Sequence, residues 1–212
     1  MKKPIYILGA GGLGREVRAM LRAFPEWEFA GYYDDRVQEG SLVDGGKCFG
    51  EIGKLLTDTA ERFVILAMGD PRTKLALATR LKGISHLNFP TLVHPSATLL
   101  DPERISLGSG SIVAAGCCLT TSITIDPFSL LNLNVTVGHD SKIGEGSSIM
   151  PGVNIAGNVR IGKGVLVGSG VNIVNNVSIG DFSRIGAGAV VIRNVNENAT
   201  AVGVPAKEIQ KP

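Results

Sequence analysis

Leu107 to Val195 reads LGSGSIVAAGCCLTTSITIDPFSLLNLNVTVGHDSKIGEGSSIMPGVNIAGNVRIGKGVLVGSGVNIVNNVSIGDFSRIGAGAVVIRNV, and its spacing decides the fold. Every sixth residue from Leu107 through Val113, Leu119 and Ile125 to Val191 is aliphatic, fifteen positions without an insertion. Four residues after each comes a small or β-branched side chain, from Ser111 and Cys117 to Ala189 and Val195. A period of six fits neither a helix at 3.6 nor a simple alternating strand at 2. It fits a coil with three flat sides of six residues, one aliphatic side chain per side aimed at the axis. Glycine and asparagine then turn the corners. Fifteen hexads predict five coils, and at ~4.8 Å per stacked strand a prism about 24 Å tall.

Outward from this repeat, the charge distribution divides the chain. Residues 1–86 carry 24 of the 40 charged side chains, and residues 107–191 only eight. The stretch FPTLVHPSA breaks the helical pattern with two prolines. This places a boundary that gives an N-terminal domain over 1–88 and a coil domain with its C-terminal segment over 89–212. The N-terminal part alternates strand and helix: Ile5–Leu8, a helix over Arg15–Phe24, Glu28–Tyr33, Phe63–Ala67, then a helix through Leu75–Leu81. Such alternation implies a small parallel sheet, half of a Rossmann-like fold.

Composition excludes several functions. Among 212 residues, 28 are glycine, 44% are hydrophobic and only 5% aromatic; mean hydropathy is +0.21. The chain therefore turns often and buries an aliphatic core. Lys+Arg 21 against Asp+Glu 19, without blocks of either sign, gives a polyanion such as nucleic acid no foothold. Three cysteines, two adjacent, make neither a disulfide framework nor a zinc spacing and fit a reducing, cytoplasmic setting. No apolar run is long enough to span a membrane, and the stretch before GAGGLG is too short for a signal peptide.

Gly9-x-Gly11-x-x-Gly14 follows a strand, opens a helix and precedes acidic residues about 20 positions on, the dinucleotide fingerprint in its usual setting. A full dinucleotide fold needs two such halves, and this part has room for three or four strands, enough for a mononucleotide. Helix N-terminus and glycine amides would accept a pyrophosphate; a carboxylate at the end of the second strand could accept from ribose or base. A tight turn without ligand is the alternative. Of three histidines, His86 and His94 lie at the domain boundary. His139 follows Gly138 on a hexad corner, so its side chain points outward, and an imidazole titrates near neutrality as a general base requires.

Taken together, IYILGAGGLGRE, YYDD, AMGD, NLNVTVGHDSKIGEGSSIMPGVNIAGNVRIGKG and AVGVPAKEI resemble the hexapeptide-repeat sugar O-/N-acyltransferases. That group includes N-acetyltransferases of nucleotide-linked 4-amino-4,6-dideoxy sugars and sialic acid O-acetyltransferases. The resemblance implies a left-handed parallel β-helix, acetyl-CoA as co-substrate, no metal, and a homotrimer. It implies that Gly11, Gly12, Leu13, Asp34, Asp35 and Gly69 contact the nucleotide sugar, with Leu13 standing where relatives often carry His. It implies His139 as catalytic base, Asp140 as its acidic neighbour and Asn132 as a polar site residue; a corner asparagine is the equal alternative for Asn132. It places Gly157, Ser169 and Ala187 at corners along the coenzyme, and Ser148 where many relatives have a second His, at the coenzyme or substrate. Lys207, in GVPAK, could meet a coenzyme phosphate or simply be a solvated lysine.

The expected function is N-acetylation of the 4-amino group of a UDP- or GDP-linked 4-amino-4,6-dideoxy sugar in the synthesis of bacterial surface glycan or glycoprotein sugars. The alternative is O-acetylation of a sialic acid-type sugar by the same base. A metal lyase on the same prism would need several histidine ligands, and the coil has one. A non-catalytic assembly prism would have no use for an outward His139–Asp140 pair.

Overall fold

In this computed structural model, which describes residues 2–209, the chain divides into two units: residues 1–69 with 76–90, and residues 70–75 with 91–212. No helix among the described residues is long and apolar enough to cross a membrane.

In the first unit, four parallel strands stand in the order Trp27–Tyr33, Lys3–Leu8, Arg62–Leu66, Leu87–Asn88. Ile5, Ile7, Leu8, Val64 and Ile65 are fully buried, because a parallel sheet is covered on both faces. The helix Gly12–Leu21 turns Val17 and Leu21 inward. It begins three residues before the apolar periodicity does, since the glycine loop runs directly into its first turn. At Gly14 an added Cβ would stand 2.0 Å from the Gly9 carbonyl oxygen, so only glycine lets the helix approach this strand end. The second helix, Pro71–Leu81, likewise starts earlier than its apolar repeat, with Pro71 at the first helical position.

The second unit is a parallel β-solenoid of three faces. The first face stacks Leu92–Val93, Ile112–Val113, Leu130–Leu131, Ser148–Ile149, Leu166–Val167, Arg184–Ile185 and Thr200–Val202. The second runs from Thr98–Leu99 through Cys118–Leu119, Thr136–Val137, Asn154–Ile155 and Asn172–Ile173 to Val190–Val191. The third runs from Ile105–Leu107 to Ser178–Ile179. Partners lie 18 residues apart, as Val137 with Ile155 and Ile155 with Ile173. The hexad residues from Val113 to Val191 are buried, and so are the small or β-branched residues two positions before them. Positive φ recurs every six residues at Gly110, Gly116, Ser122, Phe128, Asn134, Asp140, Gly146, Gly152, Asn158, Gly164, Gly170, Asn176, Phe182 and Gly188. These are the corners, filled mostly by residues that tolerate left-handed backbone.

The expectation of five coils is corrected here. About six turns form, because the solenoid starts at Leu92. Val93 and Leu99 keep the six-residue step, but the 3₁₀ turn Pro102–Arg104 inserts two residues before Leu107 and hides the first turn from a strict count.

Candidate active site

His139 sits on the corner between the second and third faces, two residues beyond the end of strand Thr136–Val137. Asp140 turns that corner at φ 58°. The kink brings two adjacent side chains to the same side, and the His139 Nδ1–H donates to Asp140 Oδ2 at 2.8 Å. With Nδ1 engaged, Nε2 keeps its lone pair as the basic atom. The His139 side chain remains 58% exposed, so the base is open to a substrate.

The ring lies over the next turn, where the chain carries Gly157. A Cβ there would stand 2.3 Å from His139 Nε2 and 2.6 Å from Cε1. Glycine at 157 is therefore the condition for the ring's position. The Asn158 amide donates to the His139 carbonyl at 2.6 Å, and Ser141 Oγ donates to the Ala156 carbonyl at 3.2 Å while accepting from the Val159 amide. The turns that carry base and glycine are thus fixed to each other by backbone and a buried serine.

Asn132 lies on a different corner, between the first and second faces. It is 8% exposed, and its Oδ1 accepts from the Leu133 amide at 2.7 Å, a local corner bond that leaves the NH₂ group for other partners. Ser169 and Ala187 are exposed along that same corner. The structure thus groups His139, Asp140 and Gly157 on one edge, and Asn132, Ser169 and Ala187 on the next. Lys207 is exposed in the antiparallel strand Lys207–Ile209.

Ser148 points outward from the first face, yet it is fully buried. Lys74, itself 1% exposed, donates to Ser148 Oγ at 2.9 Å and to the Ser147 carbonyl at 3.3 Å. The segment Asp70–Leu75 lies across this face: Asp70 pairs with Arg184 at 2.9 Å, and Arg72 stacks on the Phe182 ring and donates to Asn198 Oδ1. Burial pulls the Lys74 ammonium down to about 7, opposed by the nearby Asp70 carboxylate. Sequence reading missed Lys74. A lysine inside the apolar run Leu75, Leu77, Ala78 of a helix was the available signal, but the serine that receives it is 74 residues away.

In the α/β unit, Gly11 and Gly12 open the first helix with no neighbouring atom within 4 Å of where a Cβ would be, so the loop is uncovered. Asp34 Oδ2 accepts from the Ala10 amide at 2.7 Å and Oδ1 from the Arg36 amide at 2.8 Å. Asp35 Oδ1 accepts from the Ile52 amide at 2.8 Å. Both carboxylates therefore brace the strand end beside the glycine loop. Asp35 also borders an open cavity of about 430 Å³ with Arg36, Gly50, Glu51 and Lys54. Leu13 is half-buried in the helix's first turn and Gly69 half-buried just before Asp70. Among the described residues no group of three or more His, Cys, Asp or Glu could hold a metal ion.

Comparison with known proteins bears on this arrangement. Residues 4–81 match the PglD N-terminal domain, and residues 140–175 and 158–193 match the bacterial transferase hexapeptide (six repeats). A UDP-N-acetylbacillosamine N-acetyltransferase of Bacillus subtilis is 29% identical over 53% of this chain, a match spanning about half, 52%, of that relative's length. A GDP-perosamine N-acetyltransferase of Escherichia coli O157:H7 is 29% identical over 72% of this chain and 70% of its own. The crystal structure of PerB from Caulobacter crescentus in complex with CoA and GDP-perosamine is 28% identical, with TM-score 0.88, over 98% of both chains.

Proposed function

We propose that the chain is an acetyltransferase of the hexapeptide-repeat sugar acyltransferase group, which transfers the acetyl group of acetyl-CoA to the 4-amino group of a UDP- or GDP-linked 4-amino-4,6-dideoxy sugar. The observation that carries this reading is the His139–Asp140 pair held open above Gly157. His139 Nε2 takes the proton from the sugar amine. The nitrogen attacks the thioester carbonyl carbon, the carbon–sulfur bond breaks, and the coenzyme thiolate leaves and is protonated. Asp140 stabilises the imidazolium formed meanwhile. The Gly157 amide donates to the oxyanion in this reading.

Glycine amides at Gly11 and Gly12 receive the nucleotide pyrophosphate, and the unengaged oxygen of Asp35 accepts from ribose or base. Asn132, Ser169 and Ala187 lie on the neighbouring corner of the prism, so within one chain they cannot form a continuous site with His139. A closed threefold ring sets one protomer's first corner against the next protomer's second and gives the coenzyme two walls.

The test is a mass-spectrometric screen of UDP- and GDP-linked 4-amino sugars with acetyl-CoA. Gain of one acetyl group on an amine is expected. Acetylation of sialic acid hydroxyls with none on any nucleotide amino sugar would overturn the reading.

A further inference from the structure

Just inside the corner that carries the base, one core column runs Ile123, Ser141, Val159, Val177 and Val195, a residue per turn, all buried. Four of the five are aliphatic. The single hydroxyl stands in the turn of His139, two residues after it. The Val159 amide donates to Ser141 Oγ at 3.1 Å, and Oγ has the Ala156 carbonyl at 3.2 Å and the His139 carbonyl at 3.3 Å within reach. A hydroxyl has one proton to give. The His139 carbonyl already accepts from the Asn158 amide at 2.6 Å, whereas the Ala156 carbonyl has no other donor among the described residues, so the proton goes to Ala156. Ser141 therefore bridges the two ends of the turn Ala156–Val159. Other corners close directly, as from the Ser147 amide to the Gly144 carbonyl at 3.2 Å.

A trans peptide is planar, with its carbonyl and its N–H on opposite sides. The bond that draws the Ala156 carbonyl to Ser141 therefore turns the Gly157 N–H away from the core. That N–H has no acceptor among the described residues. It lies at the edge where His139 Nε2 leans over Gly157, and Gly138 leaves it clear: a Cβ at 138 would stand 2.6 Å from the Gly157 nitrogen. The same arrangement recurs at the next corner. There the fully buried Ser147 accepts from the Val165 amide at 2.9 Å and donates to the Gly162 carbonyl at 2.8 Å. The amide so turned outward, that of Lys163, donates to Asp181 Oδ1 at 2.9 Å. Within this chain, an amide presented in this way binds a negatively charged oxygen. One turn beyond Gly157 the position that matches Asp181 is Asn175, which does not take the amide, so the donor stays open to an oxygen from outside the chain.

We propose that Ser141 is the positioning residue of the oxyanion donor: its hydroxyl holds the Ala156–Gly157 peptide so that the Gly157 N–H faces the thioester oxygen as negative charge develops there. This rests on the reading of His139 as the base and of Gly157 as the donor in acetyl transfer. Ser141 touches neither substrate and acts through the peptide alone. A donor fixed beforehand needs no reorganisation when the carbonyl carbon becomes tetrahedral, and its contribution arises there.

Ser141→Val removes the hydroxyl and keeps a side chain that the same column accepts at Val159 and Val177. The turn is then expected to close directly from the Val159 amide to the Ala156 carbonyl, swinging the Gly157 N–H aside; Ser141→Ala should do the same with a smaller side chain. Steady-state kinetics with the acceptor sugar and acetyl-CoA, with melting temperature as control, decide the matter. The expected result is a kcat lowered about tenfold or more with both KM values unchanged, since outright loss of such a donor costs ~10²–10³. Ser141→Thr keeps the hydroxyl and should restore kcat to near the wild-type value. Ser147→Val makes the same change where Asp181 already holds the amide, and should leave kcat unchanged, which separates a loosened coil from a misplaced donor. An unchanged kcat in both Ser141→Val and Ser141→Ala, a loss that Ser141→Thr does not restore, or an equal loss in Ser147→Val overturns the proposal. If the wild-type enzyme acetylates a sugar hydroxyl and no nucleotide amino sugar, the function proposed above fails, while the same variants assayed with that acceptor still decide this one.

Discussion

The α/β unit and the solenoid hold their chemically interesting groups by opposite means. In the α/β unit, Asp34 and Asp35 stand at a strand end that occurs once, and each spends oxygen atoms on backbone amides of Ala10, Arg36 and Ile52. The groups that would bind a ligand also brace the fold. In the solenoid, the backbone under His139 is repeated at Gly157 and Asn175, and what differs is the side chain on a shared frame. The frame is supplied by inward residues such as Val137 and Ile155, so the outward group is free of structural duty. A repeat separates stability from function residue by residue; a single-copy loop does not.

That contrast predicts which substitutions change activity alone. His139→Ala is expected to lower kcat by ~10²–10⁴ with an unchanged melting temperature, because no core contact is lost. The residual rate should rise with pH as solvent deprotonates the sugar ammonium. A folded variant with near-normal kcat at pH 7 would break the assignment. Gly157→Ala comes next, at about 10² in kcat, because its Cβ would displace the ring from above the site. Circular dichroism and melting should match wild type; an active alanine variant would show that the ring position is immaterial.

Asp35→Ala probes the other side of the comparison. The acceptor KM should rise about tenfold with little change for acetyl-CoA, and stability should fall by ~1 kcal/mol as the Ile52 amide loses its acceptor. Activity lost at full stability would mean that the α/β unit, too, separates the two duties. The smallest effect is on stability against pH. Burial lowers the Lys74 pKa to about 7 in the folded chain, whereas in the unfolded chain lysine stays charged to about pH 10.4. Between those values the unfolded state binds more protons, so this residue makes stability rise with pH and lowers it as pH falls towards 7. Melting of wild type and Lys74→Met across this window should show the slope in wild type and a flatter line in the variant; parallel curves would place the ammonium elsewhere.

Most of the solenoid was legible because its period is strict. The inward hexads from Val113 to Val191 and the outward His139 follow from counting in sixes. The first turn was not legible, because two extra residues after Asp101 shift the count. The His139–Asp140 hydrogen bond depended on a positive φ at an aspartate, which sequence alone leaves open among several corner conformations. Gly157 could be read as a corner glycine, but that it clears space for an imidazole needed the 18-residue stacking. Lys74 and Ser148 meet across a distance in the chain at which neither local propensity nor periodicity carries information.

The grouping of residues 70–75 with the solenoid has a consequence for how this chain can be cut and recombined. Asp70 and the first five residues of the helix Pro71–Leu81 belong to the prism by their bonds to Ser147, Ser148, Arg184 and Asn198, although the rest of that helix belongs to the α/β unit. A fragment starting at residue 91 would expose the Ser148 hydroxyl and strip the cover from Gly146 and Gly164, against which Leu75 rests. A fragment ending at residue 90 would carry a buried-type lysine into water at the start of its last helix. A gene-level swap of the α/β unit between chains of this architecture would therefore have to exchange Asp70–Leu75 together with the prism face it covers. Those six residues, rather than the proline-rich stretch near residue 90, mark the seam that evolution or an engineer must respect.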